Sequence, residues 1–179
     1  MTDHSLVQRV LGGETEAYAV LVDRHHDRCA RIAYRILGNR EDAEEAVQDA
    51  FVRAYRALGR YEDREQFSAW LTRILVNQCR TTLYRTRRRD ALFADADVAH
   101  LNQRFVPSAD DIAWPELDDA LQQLPIAQRE AVVLRYADDL TYDEMARITG
   151  IGTSALKMRV QRAFTRLRSI LEEVPHGGR

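Results

Sequence analysis

With 179 residues, 45% of them hydrophobic and 30% charged, the chain has room for one domain or two small ones and the composition of an ordinary globular protein, not of a disordered one. Its 26 basic and 28 acidic residues leave a formal net charge of −2, which excludes an indiscriminate polyanion binder and confines any nucleic-acid affinity to local faces. Charge is uneven along the chain: 16 arginines against 14 acids in residues 1–90, one arginine against 4 acids in 91–113, and 9 basic against 10 acidic residues in 114–179.

Helical periodicity runs through the sequence, with no convincing alternating strand pattern, so an all-α fold is expected. Ser5–Leu11 reads as a short helix broken by Gly12-Gly13. A long helix from about Thr15 to Leu37 buries Tyr18, Val22, Cys29, Ala33 and Ile36, and Gly38 ends it. His25 lies on that apolar face and is expected to be a packed core residue, since no second metal ligand is in pattern. Cys29 and Cys79 stand alone without a CxxC or CxxxH neighbour, which points to small buried residues in a reducing compartment.

Asn39 is placed to cap a helix over Arg40–Leu58 with the stripe Ala43, Val47, Ala50/Phe51, Ala54 and Leu58. Its opposite face carries Asp42, Glu45, Asp49, Val52, Arg53 and Arg56. Acids first and arginines last suit the helix dipole and describe a solvated face. An exposed valine among charges describes a protein interface equally well, and the sequence leaves both readings open.

After the polar loop Gly59–Gln66, a third long helix starts at Phe67, with Phe67, Leu71, Ile74, Leu75 and Thr82 on one side. Arg73, Asn77, Arg80, Tyr84 and Arg87 recur on the other at spacings of four, three, four and three, with Arg85, Arg88 and Arg89 at the end. No acid interrupts the stretch from Arg73 to Arg89, whereas a solvated face normally mixes signs. Such a row can track phosphates, read base edges and stack an unpaired base.

Residues 91–113 are acidic and weakly patterned, a linker. Trp114-Pro115 opens a second domain ending near residue 174, with helices at about 115–123 and 126–137 and a tail at 175–179. Thr141 and Glu144 form a capping-box pattern that starts a helix at Tyr142, and Gly150 ends it. A second helix carries Leu156, Val160, Ala163, Leu167 and Ile170 inward, giving a helix-turn-helix. Ser154, Met158, Gln161 and Arg162 face outward, flanked by Lys157, Arg159 and Arg166, the kind of cationic face that enters a major groove. Lys157 is the only lysine in the chain, so its cationic chemistry is otherwise guanidinium.

No nucleophile stands with a base at motif spacing, and neither a glycine-rich phosphate loop nor HExxH occurs, so an enzyme is not expected and no cofactor or metal site is called. No apolar run reaches the ~18 residues of a membrane span and no signal peptide opens the chain, so a cytoplasmic location is expected.

Three segments, NREDAEEAVQDAFVRAYRAL, FSAWLTRILVNQCRTTLYRTRRR and LPIAQREAVVLRYADDLTYDEMARITGI with ALKMRVQRA, together resemble the sigma-70 family, specifically its extracytoplasmic-function (ECF, group IV) members. The resemblance implies region 2 over residues 1–90, region 4 over 114–174, and a linker threading toward the polymerase active centre. It implies core RNA polymerase as partner through its β′ clamp and β subunit, with Asp42, Glu45, Gln48, Asp49, Val52 and Arg56 as the docking face. It implies a −10 reader of Tyr61, Glu62, Asp63, Arg64, Phe67, Arg73, Asn77, Arg80, Tyr84, Arg87 and Arg88, in which the loop Tyr61–Gln66 captures a flipped base. It implies a −35 reader of Ser154, Lys157, Met158, Arg159, Gln161, Arg162 and Arg166, and an anti-sigma factor as regulator. Where the family commonly has a threonine and a serine, this chain has Ala155 and Met158, and Thr81 stands where many members carry aspartate. The alternative is a polymerase-independent helix-turn-helix regulator, which would bind a palindromic duplex by itself.

Overall fold

The computed structural model describes residues 1–62, 66–92, 115–137 and 139–173, and every regular element among them is helical. The chain divides into two compact units, Met1–Gln103 and Arg104–Arg179.

In the first unit α1 and α3 begin, and α2 ends, where local chemistry supplies a partner for the orphan backbone groups. α1 (Asp3–Leu11) starts two residues earlier than the periodicity suggested, because the Thr2 hydroxyl accepts the Ser5 N–H at 3.2 Å. α2 (Glu16–Leu37) stops at Gly38, whose φ of 74° is the left-handed conformation that glycine adopts without strain. Asn39 caps α3 (Arg40–Ala57), its Oδ1 accepting the N–H groups of Glu41 at 2.8 Å and Asp42 at 3.2 Å. The chain then tightens into a 3-10 turn, Leu58–Arg60, and α4 runs Phe67–Leu92, two residues into the expected linker. The remainder of that linker, Trp114, the 175–179 tail, and Asp63, Arg64 and Glu65 lie outside the described residues.

The core of this unit is where α2, α3 and α4 meet, with Leu6 and Val7 of α1 closing one side. Cys29 and Cys79 are both fully buried free thiols within it. One expectation shifts. The buried residues of α2 are Ala17, Leu21, His25, Cys29, Ile32, Ala33 and Ile36, whereas Tyr18 and Val22 are only half-buried. His25 of the buried row reaches α1 and α4, while Tyr18 of the next row meets Phe51 and Tyr55 of α3, so two apolar rows lie side by side on α2. Ile74 is likewise half-buried on the flank of α4.

The second unit comprises α5 (Pro115–Gln122), α6 (Ile126–Val132), a π-helical turn over Val133–Ala137, α7 (Tyr142–Thr149) and α8 (Thr153–Glu173). The periodicity predicted one helix over 126–137; the last five residues instead adopt the wider i→i+5 ladder. Arg129, almost fully buried, locks the corner between α5 and α6 by donating to the carbonyls of Gln122 at 2.6 Å and Leu124 at 3.2 Å. Asp139 takes up the turn with φ at 51°.

The capping box forms as the sequence implies. The Thr141 N–H donates to Glu144 Oε2 at 2.7 Å and the Glu144 N–H donates to the Thr141 hydroxyl at 3.3 Å. Thr141→Ala is therefore expected to destabilise the second unit by about 1 kcal/mol in urea unfolding followed by circular dichroism. The hydrogen bonds from Thr141 hold the Glu144 carboxyl below its ordinary value of 4.5. With the folded-state pKa depressed, this contribution is complete above about 4.5 and is lost as pH falls through the lower folded-state value. The wild-type advantage over Thr141→Ala should shrink correspondingly in acid.

Candidate nucleic-acid and protein interfaces

Three surfaces carry the residues singled out by the sequence. The first lies on α3 and α2. On α3, Glu45, Gln48, Val52 and Arg56 are exposed, while Asp42 and Asp49 are half-buried. Asp49 is not a free charge: its Oδ2 accepts from Nε2 of the buried Gln78 at 3.1 Å, bracing α3 against α4. Glu45 forms an ion pair with Arg85 of α4 at 2.9 Å, both side chains being more than half exposed, so its contribution to stability is small.

Beside this polar edge runs a groove of about 870 Å³ between α2 and α3, lined by Tyr18, Val22, Val47, Phe51, Val52 and Tyr55 among others, with Gln48, Arg56, Glu44 and His26 at its rim. Val52 is 43% exposed and Tyr55 44%. Tyr18 and Tyr55 meet edge to face at 4.9 Å, and the Tyr18 hydroxyl donates to the Phe51 carbonyl at 2.6 Å. Burial pushes the Tyr18 hydroxyl pKa well above the tyrosine range, so it stays a donor at any physiological pH. An apolar floor with polar residues at its rim is also how a protein interface is built. Sequence reasoning missed Tyr55 and the α2 wall. The available signal was the second apolar row of α2, Tyr18 and Val22, continued by Ala19 and His26.

The second surface is on α4. Asn77, Tyr84, Arg87 and Arg88 are exposed, Tyr84 at 68%, and Arg73 and Arg80 are half-buried. All but Arg88 fall on one line along the helix, about 21 Å from Arg73 to Arg87 at 1.5 Å per residue. The inward face is held by Leu71, Leu75, Val76 and Cys79, and by Arg28 of α2, which donates to the Thr72 hydroxyl at 3.1 Å. The two ends of the loop meet at the start of α4. Tyr61, half-buried, packs on Phe67 at 5.8 Å and on Trp70 at 5.3 Å, while Glu62 is exposed. Phe67 is buried at 2% exposure, so it supports this end of the surface and offers no ring to a base. Asp63 and Arg64, also called for base capture, lie outside the described residues.

The third surface is on α8. Leu156, Val160, Ala163 and Leu167 are buried, which turns Ser154, Met158 and Gln161 directly outward, all exposed. Met158, at 48% exposure, occupies the middle of that face. Arg162 and Arg166 border α6, lining a hollow with Gln128, Thr165 and Ser169, and Arg159 is half-buried. Lys157 stands on the opposite flank, its ammonium 5.7 Å from the Tyr142 ring, with the Arg135 guanidinium 5.6 Å from the same ring. Among the described residues no His/Cys/Asp/Glu group would hold a metal ion, and no helix is long and apolar enough to cross a membrane.

Comparison with known proteins matches residues 21–89 to Sigma-70 region 2 and residues 115–167 to Sigma-70, region 4. The ECF RNA polymerase sigma factor SigW of Bacillus subtilis (strain 168) is 31% identical over 94% of this chain and 96% of its own length. RNA polymerase sigma factor CarQ of Myxococcus xanthus is 32% identical over 94% and 97%. Among solved structures, CnrH in complex with the cytosolic domain of CnrY aligns over 96% of this chain and 98% of its own, with a TM-score of 0.71 and 28% identity.

Proposed function

The chain belongs to the sigma-70 family as an ECF sigma factor, an alternative sigma factor directing transcription, and from that premise we propose which of its surfaces does what. The α2–α3 groove, with Gln48, Val52 and Arg56 at its polar edge, docks on core RNA polymerase, on the coiled coil of the β′ clamp; Asp42, Glu45 and Asp49 border it. The α4 row of Arg73, Asn77, Arg80, Tyr84, Arg87 and Arg88 holds the melted −10 strand, with the segment Tyr61–Gln66 receiving a flipped base. The α8 face reads the −35 duplex. Residues 1–90 and 114–174 are then the two reading domains and 91–113 their tether, the layout of group IV members.

The observation that carries this reading is the acid-free row on α4. A duplex reader working by itself has no use for an exposed tyrosine within an arginine line, whereas an unpaired base stacks on it. Two modest readers joined through polymerase also account for a net charge of −2: each contributes limited affinity and tethering raises the effective concentration of the other. Since polymerase and promoter are cytoplasmic, the protein acts there. A protein partner occupies the related CnrH, and an anti-sigma factor covering these surfaces is the regulator proposed for this chain.

The test is transcription in vitro with core polymerase, with and without the protein, on genomic template from its host. Promoter-specific starts that require the protein support the reading; none on any template sinks it. Within that assay Tyr84→Ala is expected to cost roughly 1–3 kcal/mol of strand holding, the usual loss of one stacked base. The measurement is the lifetime of the open complex, with binding to core polymerase unchanged.

A further inference from the structure

The N-terminal helix is joined to the aromatic residues at the two ends of the proposed base-receiving segment by a line of contacts through Asp3 and His25, neither of which is assigned to docking or strand holding. Asp3, in the first turn of α1, directs one carboxylate oxygen to Arg24 and the other to His25 of α2, the latter at 2.8 Å. With a carboxylate as acceptor, His25 Nε2–H is the donor. His25 is 7% exposed and its ring lies 5.3 Å from that of Phe67, the first residue of α4. Phe67 in turn packs on Tyr61 at 5.8 Å and on Trp70 at 5.6 Å. Tyr61 and Phe67 are the aromatic residues that bracket residues 62–66. α1 also packs against the 3-10 turn Leu58–Arg60, which delivers the chain to Tyr61.

A histidine ring on an aromatic cluster has rotational freedom about its χ angles unless its polar atoms are fixed. The Asp3 bond fixes this one, and therefore the surface that meets Phe67, on which Tyr61 in turn packs. We propose that the Asp3–His25 pair is a positioning device for −10 base selection, with His25 a positioning residue that sets the stance of Tyr61 and Phe67 without touching DNA. The proposal rests on the reading of Tyr61–Gln66 as the base-receiving segment.

The test uses full-length protein with core polymerase transcribing fragmented host genomic DNA, with transcript 5′ ends sequenced and base preference scored at each −10 and −35 position. Asp3→Ala and His25→Leu are expected to lower the preference at one −10 position by about fivefold, the equivalent of one hydrogen bond, while −35 preferences stay as in wild type. His25→Gln, whose amide nitrogen reproduces the donor, should restore the preference. Arg24→Gln, which loses the other contact to Asp3 but meets none of the aromatic rings, should leave it intact. Because preference is a ratio within each sample, a partly unfolded variant loses yield and not selectivity. Wild-type −10 preferences in both Asp3→Ala and His25→Leu would overturn the proposal, as would an equal fall at −10 and −35. A wild-type protein giving no promoter-specific starts would instead overturn the sigma reading beneath it, and this proposal with it.

Discussion

Val52→Arg is expected to weaken association with core RNA polymerase roughly 30- to 1000-fold, the span of a hot-spot loss of about 2–4 kcal/mol. Val52 is 43% exposed on the rim of a groove whose floor is Phe51, Val47 and Tyr18. A partner helix laid there would desolvate the valine, and an arginine in its place brings an unpaired charge into a dry contact. The substitution is on the solvent side of α3, so helicity and melting temperature should hold. Asp49→Arg is the less clean experiment, because Asp49 also receives a hydrogen bond from buried Gln78 and its loss would disturb the α3–α4 packing as well. Titration of labelled protein with core polymerase decides the matter. Unchanged affinity for Val52→Arg would return this face to the solvated reading that dipole complementarity already permits.

What the sequence made legible was local. Asn39, Gly38, Thr141 with Glu144, and Gly150 each mark a helix end through a bond between near neighbours, so the boundaries they set appear within a residue or two. The stripes of α3 and α8 were legible because each helix buries a single face. α2 was misread by one position at Tyr18 and Val22 because it buries one face and lines a groove with the next, and periodicity alone does not rank two adjacent apolar rows. The Tyr61–Phe67–Trp70 cluster and its tie to His25 and Asp3 arise between elements up to 64 residues apart (Asp3 to Phe67), where no spacing rule reaches. The inference from α4, by contrast, needed no fold: a stretch of one charge sign, with arginines and no acids, is legible in the sequence alone.

The proposed −35 face of α8 supplies the second large effect. Arg162→Ala is expected to cost roughly 1–3 kcal/mol of discrimination between an intact −35 element and one altered at the contacted base pair, with less loss on the altered promoter. The geometry makes this a sharp question, since Arg162 is exposed but sits toward α6, with Gln128, Thr165 and Arg166, and not at the centre of the face where Met158 stands. An arginine in that place reaches either a base edge in the groove or the phosphates along its wall. A base contact loses affinity only where the base is right; a phosphate contact loses it uniformly across sequences and reduces the salt slope by about one. Transcription from paired promoters at two salt concentrations separates the two. Equal losses on both promoters would move Arg162 to the phosphate backbone and leave base reading to Met158 and Gln161. In that arrangement the apolar Met158 side chain, where the family commonly offers a hydroxyl, is matched to a thymine methyl rather than to a hydrogen-bonding edge.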